Sequence, residues 1–146
     1  MATAVVDEVA AARGAMTPLP YRVVRKRKEN HDNWTLELEP VDDAIEPLAP
    51  GQFTMLYAFG IGEVPISVSG DVDGPLVHTV RSVGAVSEAI CAAEPGDVLG
   101  VRGPFGNVWP VEDAVGADVV VVAGGIGLAP LRPAVLQVLS RRSEFG

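Results

Sequence analysis

Hydrophobic and polar residues alternate over much of the first two thirds of the chain. Residues 33–39 place Trp34, Leu36 and Leu38 at every second position, which is the period of a strand with one buried face. Turn signals such as Pro50-Gly51 separate this segment from others of similar composition. Five further strands are predicted, at residues 21–28, 52–59, 64–69, 76–81 and 98–102.

The pattern changes to helical spacing within residues 84–94. Val86, Ile90 and Ala93 recur there at intervals of three or four, and Pro95 follows the run. Six short strands and one short helix within residues 21–102 favour a small closed antiparallel barrel.

A second kind of strand is predicted near the end of the chain. Residues 118–123 (DVVVVA) are β-branched without alternation, which is typical of a strand buried on both faces of a parallel sheet. A glycine-rich turn follows, and residues 131–142 return to helical spacing. We interpret this as the first β–α unit of a truncated α/β domain. Because such a strand needs neighbours, we expect residues 119–122 to pack poorly, to lean on the barrel, or to depend on another chain.

Composition limits the classes of function. The 146 residues are 48% hydrophobic, enough for a core, and the net charge of −8 argues against nucleic acid as the main partner. Five cations nevertheless fall close together: Arg22, Arg25, Lys26, Arg27 and Lys28. Two interpretations stay open, a solvated edge strand protected by charge, or a docking patch for an acidic redox partner.

Few residues are suited to metal or disulfide chemistry. Cys91 is the single cysteine, and the two histidines are His31 and His78, so we expect no disulfide and no metal site. The N-terminal segment lacks the basic start of a signal peptide, and residues 119–131 are too short and too rich in glycine to span a bilayer. We therefore expect a soluble cytoplasmic protein.

Three local motifs are candidates for ligand binding. GGIGLAPLRP at residues 124–133 lies between a strand and a helix, where free N–H groups can face an anion; a plain tight turn is the alternative. GAVS at residues 84–87 offers the same features, with Ser87 as an ordinary helix-capping residue as the alternative. VPISVS at residues 64–69 places two hydroxyl groups on an apolar strand, where they can line a ligand groove or face solvent.

In order, the motifs PGQF, VPISVS, VHTVRSVGAVSEAI, PGDVLGVRGPFGNVWP and VVVVAGGIGLAPLRP resemble the ferredoxin–NADP reductase superfamily. Within it, they are most similar to the flavin-binding gamma subunits of cytoplasmic NiFe hydrogenases and to the electron-transfer subunit of dihydroorotate dehydrogenase. The resemblance implies an antiparallel Greek-key barrel that binds FAD, followed by an α/β domain that binds NAD(P). We therefore divide the chain into a flexible leader at residues 1–18, the FAD-binding barrel at 19–113 and the truncated start of the NAD(P)-binding domain at 114–146.

The resemblance also implies roles for individual residues. Ser67 would be the catalytic hydroxyl near flavin N5, with Pro65, Ile66 and Val68 beside the ring. The remaining FAD contacts would be His78, Thr79, Val80 and Arg81 along the ribityl and phosphate groups, and Gly84, Ala85, Val86 and Ser87 on the pyrophosphate. The nicotinamide nucleotide site would begin at Gly124, Gly125, Gly127, Leu128, Ala129 and Pro130.

The chain departs from the family at two positions of the VPISVS strand. Val64 stands where many members have a phosphate-binding arginine, and Ile66 where they have a ring-stacking tyrosine, which leaves Arg81 as the nearest cation for the phosphates. The implied activity is FAD-dependent NAD(P)H oxidation coupled to iron–sulfur or hydrogenase subunits. The alternative is a non-catalytic assembly or docking subunit built on the same barrel.

Overall fold

A computed structural model describes Gly14 and residues 16–146, so most of the predicted leader lies outside the described residues. The strands are β1 (Leu19–Lys28), β2 (Asn33–Pro40), β3 (Phe53–Ala58), β4 (Gly62–Ser67), β5 (Leu76–Arg81) and β6 (Val98–Phe105). Helix α1 (Ala85–Ala92) lies between β5 and β6, and helix α2 (Leu128–Ser140) follows the last strand.

All six strands belong to one antiparallel sheet with the order β4-β3-β6-β1-β2-β5. The last strand in sequence, β6, therefore inserts between β3 and β1, as in a Greek key. The outer strands approach each other where Val68, just after β4, bridges His78 of β5. The predicted fold class, mainly β with a six-stranded antiparallel barrel, is confirmed.

The alternation of the sequence accounts for the core. Leu36 and Leu38 of β2 have no exposed surface, and neither do Leu56 of β3 and Val101 of β6. Helix α1 covers one end of this core with Ile90, which is also fully buried. Each such side chain contributes about 1.5–3 kcal/mol relative to an exposed one, so the barrel is stabilised mainly by these contacts.

Several element boundaries differ from the prediction, and two of them differ by three residues. Strand β6 runs on to Phe105, beyond the predicted end at residue 102, because Phe105 still pairs with Phe53 of β3. Helix α2 begins at Leu128 rather than at residue 131. Pro130 lies in its first turn, where the missing proline N–H would have no helical partner anyway.

Residues 118–123 form no β ladder with any part of the chain that the structure describes, so the predicted buried strand is wrong. Val120 and Val122 are 84% and 85% exposed. The apolar composition is that of a buried strand, but no strand among the described residues lies beside it to accept its hydrogen bonds. The segment lies beside α2 along an apolar groove of about 720 Å³.

The C-terminal segment is attached to the barrel by a few polar contacts. The Trp109 backbone N–H donates to Pro50 O at 2.8 Å, and its indole N–H donates to Pro130 O at 3.0 Å. This approach requires Gly51, because a Cβ at that position would lie 2.7 Å from the Trp109 nitrogen. From α2, Arg132 Nη1 donates to Ser69 O at 2.7 Å. The segment leans on the barrel, one of the three expected arrangements.

Candidate functional site

The two outer strands, β4 and β5, meet along a seam that is hydrogen-bonded at one end only. The bridge between Val68 and His78 closes that end, together with a 2.8 Å hydrogen bond from the Ser69 N–H to Val77 O. Among the described residues, no ladder joins the remaining lengths of β4 and β5. Unpaired strand edges leave backbone N–H and C=O groups available, so the seam can accept a flat polar ligand.

The side chains of the VPISVS strand are divided between two faces. Ile66 is half-buried and packs against the core, and Val68 is 2% exposed. Pro65 and Ser67 face outward, paired across the ladder with Met55 and Phe53. The resemblance placed residues 65–68 together beside the flavin ring, but their side chains lie on two faces of the strand. A ligand on the outer face cannot reach the Val68 side chain. The Ser67 hydroxyl has no hydrogen-bond partner among the described residues.

His78 belongs to the core, although the resemblance placed it among the cofactor contacts. Its ring is fully buried, and Nδ1 donates to Ser67 O at 2.9 Å because that carbonyl can only accept. Nε2 therefore accepts from Thr54 Oγ1 at 3.1 Å. Burial lowers the pKa of His78 to about 4, so the ring is neutral near pH 7. The imidazole fixes the backbone of Ser67.

The other residues of β5 follow the same alternation. Val80 has no exposed surface, so for both His78 and Val80 only the backbone can contact a ligand on the outer face. Thr79 and Arg81 face outward. Arg81, the predicted phosphate cation, donates through Nε to Asp32 at 2.7 Å. Its guanidinium is held in an ion pair at the end of β5.

The turn before α1 is built by the Ser87 hydroxyl. Ser87 Oγ accepts the N–H groups of Val83 and Gly84 at 3.0 and 3.1 Å, and it donates to Gly84 O at 3.0 Å. This hydroxyl is therefore already occupied. The backbone N–H groups of Ala85, Val86 and Ser87 lie in the first helical turn, where they have no partner within the helix. A Cβ at Gly84 would meet no atom within 4 Å, so an anion can approach them.

The glycine-rich turn lies between two cavities. Gly124 is extended and Gly125 has a φ of +53°, a left-handed conformation that favours glycine. Gly125, Leu128 and Ala129 line a polar cleft of about 330 Å³ against the barrel. Gly127 and Pro130 line the apolar groove instead. The residues predicted to start one nucleotide site are thus divided between two surfaces.

The barrel side of the polar cleft carries a continuous chain of hydroxyl groups. Thr35 Oγ1 donates to Glu29 Oε1 at 2.6 Å, and it lies 2.9 Å from Thr79 Oγ1. Thr79 Oγ1 lies in turn 2.9 Å from Ser69 Oγ. The Thr35 hydroxyl has one proton and donates it to Glu29, so Thr79 must be the donor to Thr35. The Thr79 proton is then used as well, so Ser69 donates to Thr79. Of these residues, the resemblance assigned Thr79, and the VPISVS motif offered the Ser69 hydroxyl; Thr35 and Glu29 were not predicted.

The basic stretch of β1 is largely neutralised by nearby carboxylates. Arg25 pairs with Glu37 at 3.4 Å, Lys26 with Glu94 at 2.6 Å, and Arg27 with Glu29 at 2.6 Å. Strand β1 lies inside the sheet over residues 19–22, where β6 pairs with it, and only its second half is an edge. Residues 25–28 therefore form the charge-protected edge that the sequence predicted. Because their cations are paired with carboxylates, the ion pairs argue against a docking patch for an acidic partner.

Neither a metal-binding cluster nor a membrane-spanning helix is found among the described residues. No group of three or more His, Cys, Asp or Glu side chains in that part of the chain is placed to hold a metal ion. Within the same residues, no helix has the length and apolar character needed to cross a membrane.

Known electron-transfer subunits are similar to this chain in sequence. The probable electron transfer subunit of dihydroorotate dehydrogenase B (NAD(+)) from Methanopyrus kandleri is 41% identical over 123 residues, which are 83% of this chain. Sulfhydrogenase 1 subunit gamma from Pyrococcus furiosus is 39% identical over 99 residues, 66% of this chain. The chain is a homologue of these subunits. The resemblance stated from the sequence is therefore confirmed, although no protein-family model matches the chain.

Solved structures show the same fold. Phthalate dioxygenase reductase superposes with a TM-score of 0.74 at 22% identity, over 85% of this chain and 40% of its own. The Amycolatopsis cytochrome P450 reductase GcoB superposes with a TM-score of 0.67 at 26% identity, over 86% of this chain and 40% of its own. The chain spans less than half of the sequence relatives, 44% of the first and 34% of the second.

Proposed function

We propose that the chain is the flavin-binding electron-transfer module of an NAD(P)H-linked oxidoreductase. In this proposal, FAD carries electrons between NAD(P)H and an iron–sulfur or hydrogenase partner subunit in the cytoplasm. The observation that carries it is the seam between β4 and β5, which offers unpaired strand edges beside the first turn of α1. Residues 19–113 form the flavin domain, and residues 114–146 are the start of a nucleotide-binding domain.

The residues along the seam fit a flavin in their chemistry. The outward face of β4 presents Pro65 as an apolar surface and the Ser67 hydroxyl as a hydrogen-bonding group for a ring edge. His78 holds the Ser67 backbone by donating to its carbonyl, and this contact keeps the hydroxyl in place. When bound, the flavin accepts a hydride equivalent and releases electrons singly, which no side chain here can do. Ser67 is accordingly the proposed catalytic residue.

The phosphate groups would be held by the backbone rather than by a cation. Val64 offers no charge, and Arg81 is engaged with Asp32. The N–H groups of Ala85, Val86 and Ser87 remain, aligned with the positive end of the α1 dipole. The Ser87 hydroxyl orders this turn from behind by binding Val83 and Gly84.

Reconstitution with FAD tests this proposal. We expect the purified chain to become yellow and to quench flavin fluorescence on titration. Ala85→Pro removes one N–H at the first helical position, where proline keeps the helix intact. It should weaken FAD binding roughly tenfold. Glu88→Gln, an exposed change on the same helix, should leave binding unchanged, and a chain that stays colourless would contradict the proposal.

A docking subunit without flavin is the second candidate. Val64 and Ile66 favour it, because both are apolar and pack against the core, at positions where the resemblance implies ligand-binding side chains. In that case, FAD would not bind, and partner subunits would still be captured by a chain with Ala85→Pro. If partner subunits bind the chain with FAD but not without it, the flavin-binding electron-transfer module is favoured instead.

A further inference from the structure

A chain of polar groups joins three strands beneath the seam, at the point where its hydrogen-bonded end meets its open part. Thr54 comes from β3, His78 from β5 and Ser67 from β4. Thr54 Oγ1 donates to His78 Nε2 at 3.1 Å, and Nδ1 of the same ring donates to Ser67 O at 2.9 Å. Neither Thr54 nor His78 has any exposed surface. The two side chains therefore link both sides of the seam from inside the barrel.

The imidazole takes the place of one rung of the β ladder. Val68 bridges His78 at the closed end of the seam. If the antiparallel ladder continued past this bridge, its next rung would pair Ser67 with Thr79, and the Thr79 N–H would donate to Ser67 O. That carbonyl instead accepts the His78 side chain. The side chain of His78 therefore determines where the two strand edges separate.

The single proton of the ring makes both of its nitrogens necessary. Burial lowers the pKa of His78 to about 4, so near pH 7 the ring has one N–H, which it donates to Ser67 O. Nε2 is then a buried acceptor, and its hydrogen bond comes from the Thr54 hydroxyl. Without that hydroxyl, the unpaired nitrogen would favour a turned or shifted ring. Thr54 thus holds the ring in the orientation in which Nδ1 faces Ser67.

We propose that Thr54 and His78 are positioning residues for the flavin and act on it only through Ser67. Their hydrogen bonds fix the peptide unit that follows Ser67, and this unit sets the direction in which the Ser67 hydroxyl leaves the outer face toward N5 of the ring. Because both side chains are buried, a ligand on the outer face touches neither. This inference rests on the proposed function, since it requires a flavin along the seam.

The test measures the ¹⁵N NMR shift of N5 in isotopically labelled FAD bound to the full chain. Ser67→Ala gives the shift of N5 without the hydroxyl. Thr54→Val keeps the shape of the side chain and removes its hydroxyl, so we expect the N5 signal to move part of the way to the Ser67→Ala value. FAD binding should weaken roughly fivefold. Thr54→Ser restores the hydroxyl and should return both the signal and the affinity to those of the unchanged chain.

Val23→Ala is the control for a general loss of stability. Val23 is as fully buried as Thr54, but it lies on β1, in the middle of the strand order and away from the seam. Its replacement should lower the melting temperature without moving the N5 signal. The positioning role is wrong if Thr54→Val leaves the N5 signal unchanged, if Thr54→Ser does not restore it, or if Val23→Ala moves it as far.

A failure of the proposed function gives a different result. In that case the unchanged chain binds no FAD, which overturns the flavin module and this inference together. When the unchanged chain binds FAD and the N5 signal ignores position 54, the flavin module stands and only the positioning role is overturned.

Discussion

The barrel and the C-terminal segment use similar apolar residues with opposite results. Val23, Val80 and Val101 of the barrel have no exposed surface, whereas Val120 and Val122 are more than four-fifths exposed. Composition is not the difference, because all five are β-branched residues of the type that strands prefer. The barrel valines lie on strands with hydrogen-bonded neighbours, whereas residues 118–123 have no such neighbour in the part of the chain that the structure describes. A strand-like sequence becomes a strand only where another strand completes it.

The largest expected effect comes from removing a core side chain. Leu36→Ala should lower the free energy of unfolding by about 3 kcal/mol, because Leu36 is fully buried and its loss leaves a cavity. Val120→Ala is the matched change in the other region and should alter stability by no more than about 0.5 kcal/mol. Urea denaturation measures both, and equal losses would remove the distinction between the two regions.

A second effect, of similar size, concerns pH. His78 is neutral in the fold with a pKa of about 4 and has a value of 6.5 when unfolded, so the unfolded chain binds the extra proton between these values. Stability should therefore be full above pH 6.5 and fall by about 3 kcal/mol as the pH approaches 4. His31→Gln, which changes an exposed histidine, should leave the profile unchanged. A flat profile from pH 6.5 to 4.5 would show that His78 is not buried as described.

A smaller effect concerns the attachment of α2. Arg132→Gln removes the charged hydrogen bond to Ser69 O, which we expect to be worth about 1 kcal/mol at this exposed position. The amides of α2 should then exchange with solvent roughly fivefold faster, while the barrel strands keep their protection. Arg142→Gln is the control at the exposed end of the segment. Faster exchange in β2 as well would mean that the two regions unfold together.

Alternation, apolar runs bounded by turn signals and one stretch of helical spacing together predicted all six strands and α1, because each element buries one face and its period is visible in the sequence. It did not predict which strands become neighbours. Thr35 and Thr79 meet because β2 pairs with β5. The two threonines are 44 residues apart in sequence, so neither the hydroxyl chain nor the cleft was predicted.

The site residues were predicted through a family resemblance. A resemblance assigns roles to positions along the chain, but it does not say on which face of a strand each side chain lies. It grouped Pro65 with Val68, and His78 with Thr79, although neighbours on a strand point in opposite directions. The structure separates them and leaves Pro65, Ser67, Thr79 and Arg81 on the outer face. The role of Ser87 is also local, since its hydroxyl closes the turn before α1 rather than facing a ligand.

Hydrogen exchange with and without saturating FAD tests the central claim most directly. If the barrel holds flavin along the seam, two groups of amides should become protected. They are the β4 amides that point away from β3, and the first-turn amides of Ala85, Val86 and Ser87. The β1–β2 hairpin, on the far side of β5, should exchange as before. Failure of FAD to bind, or protection confined to regions away from β4 and α1, would contradict the account.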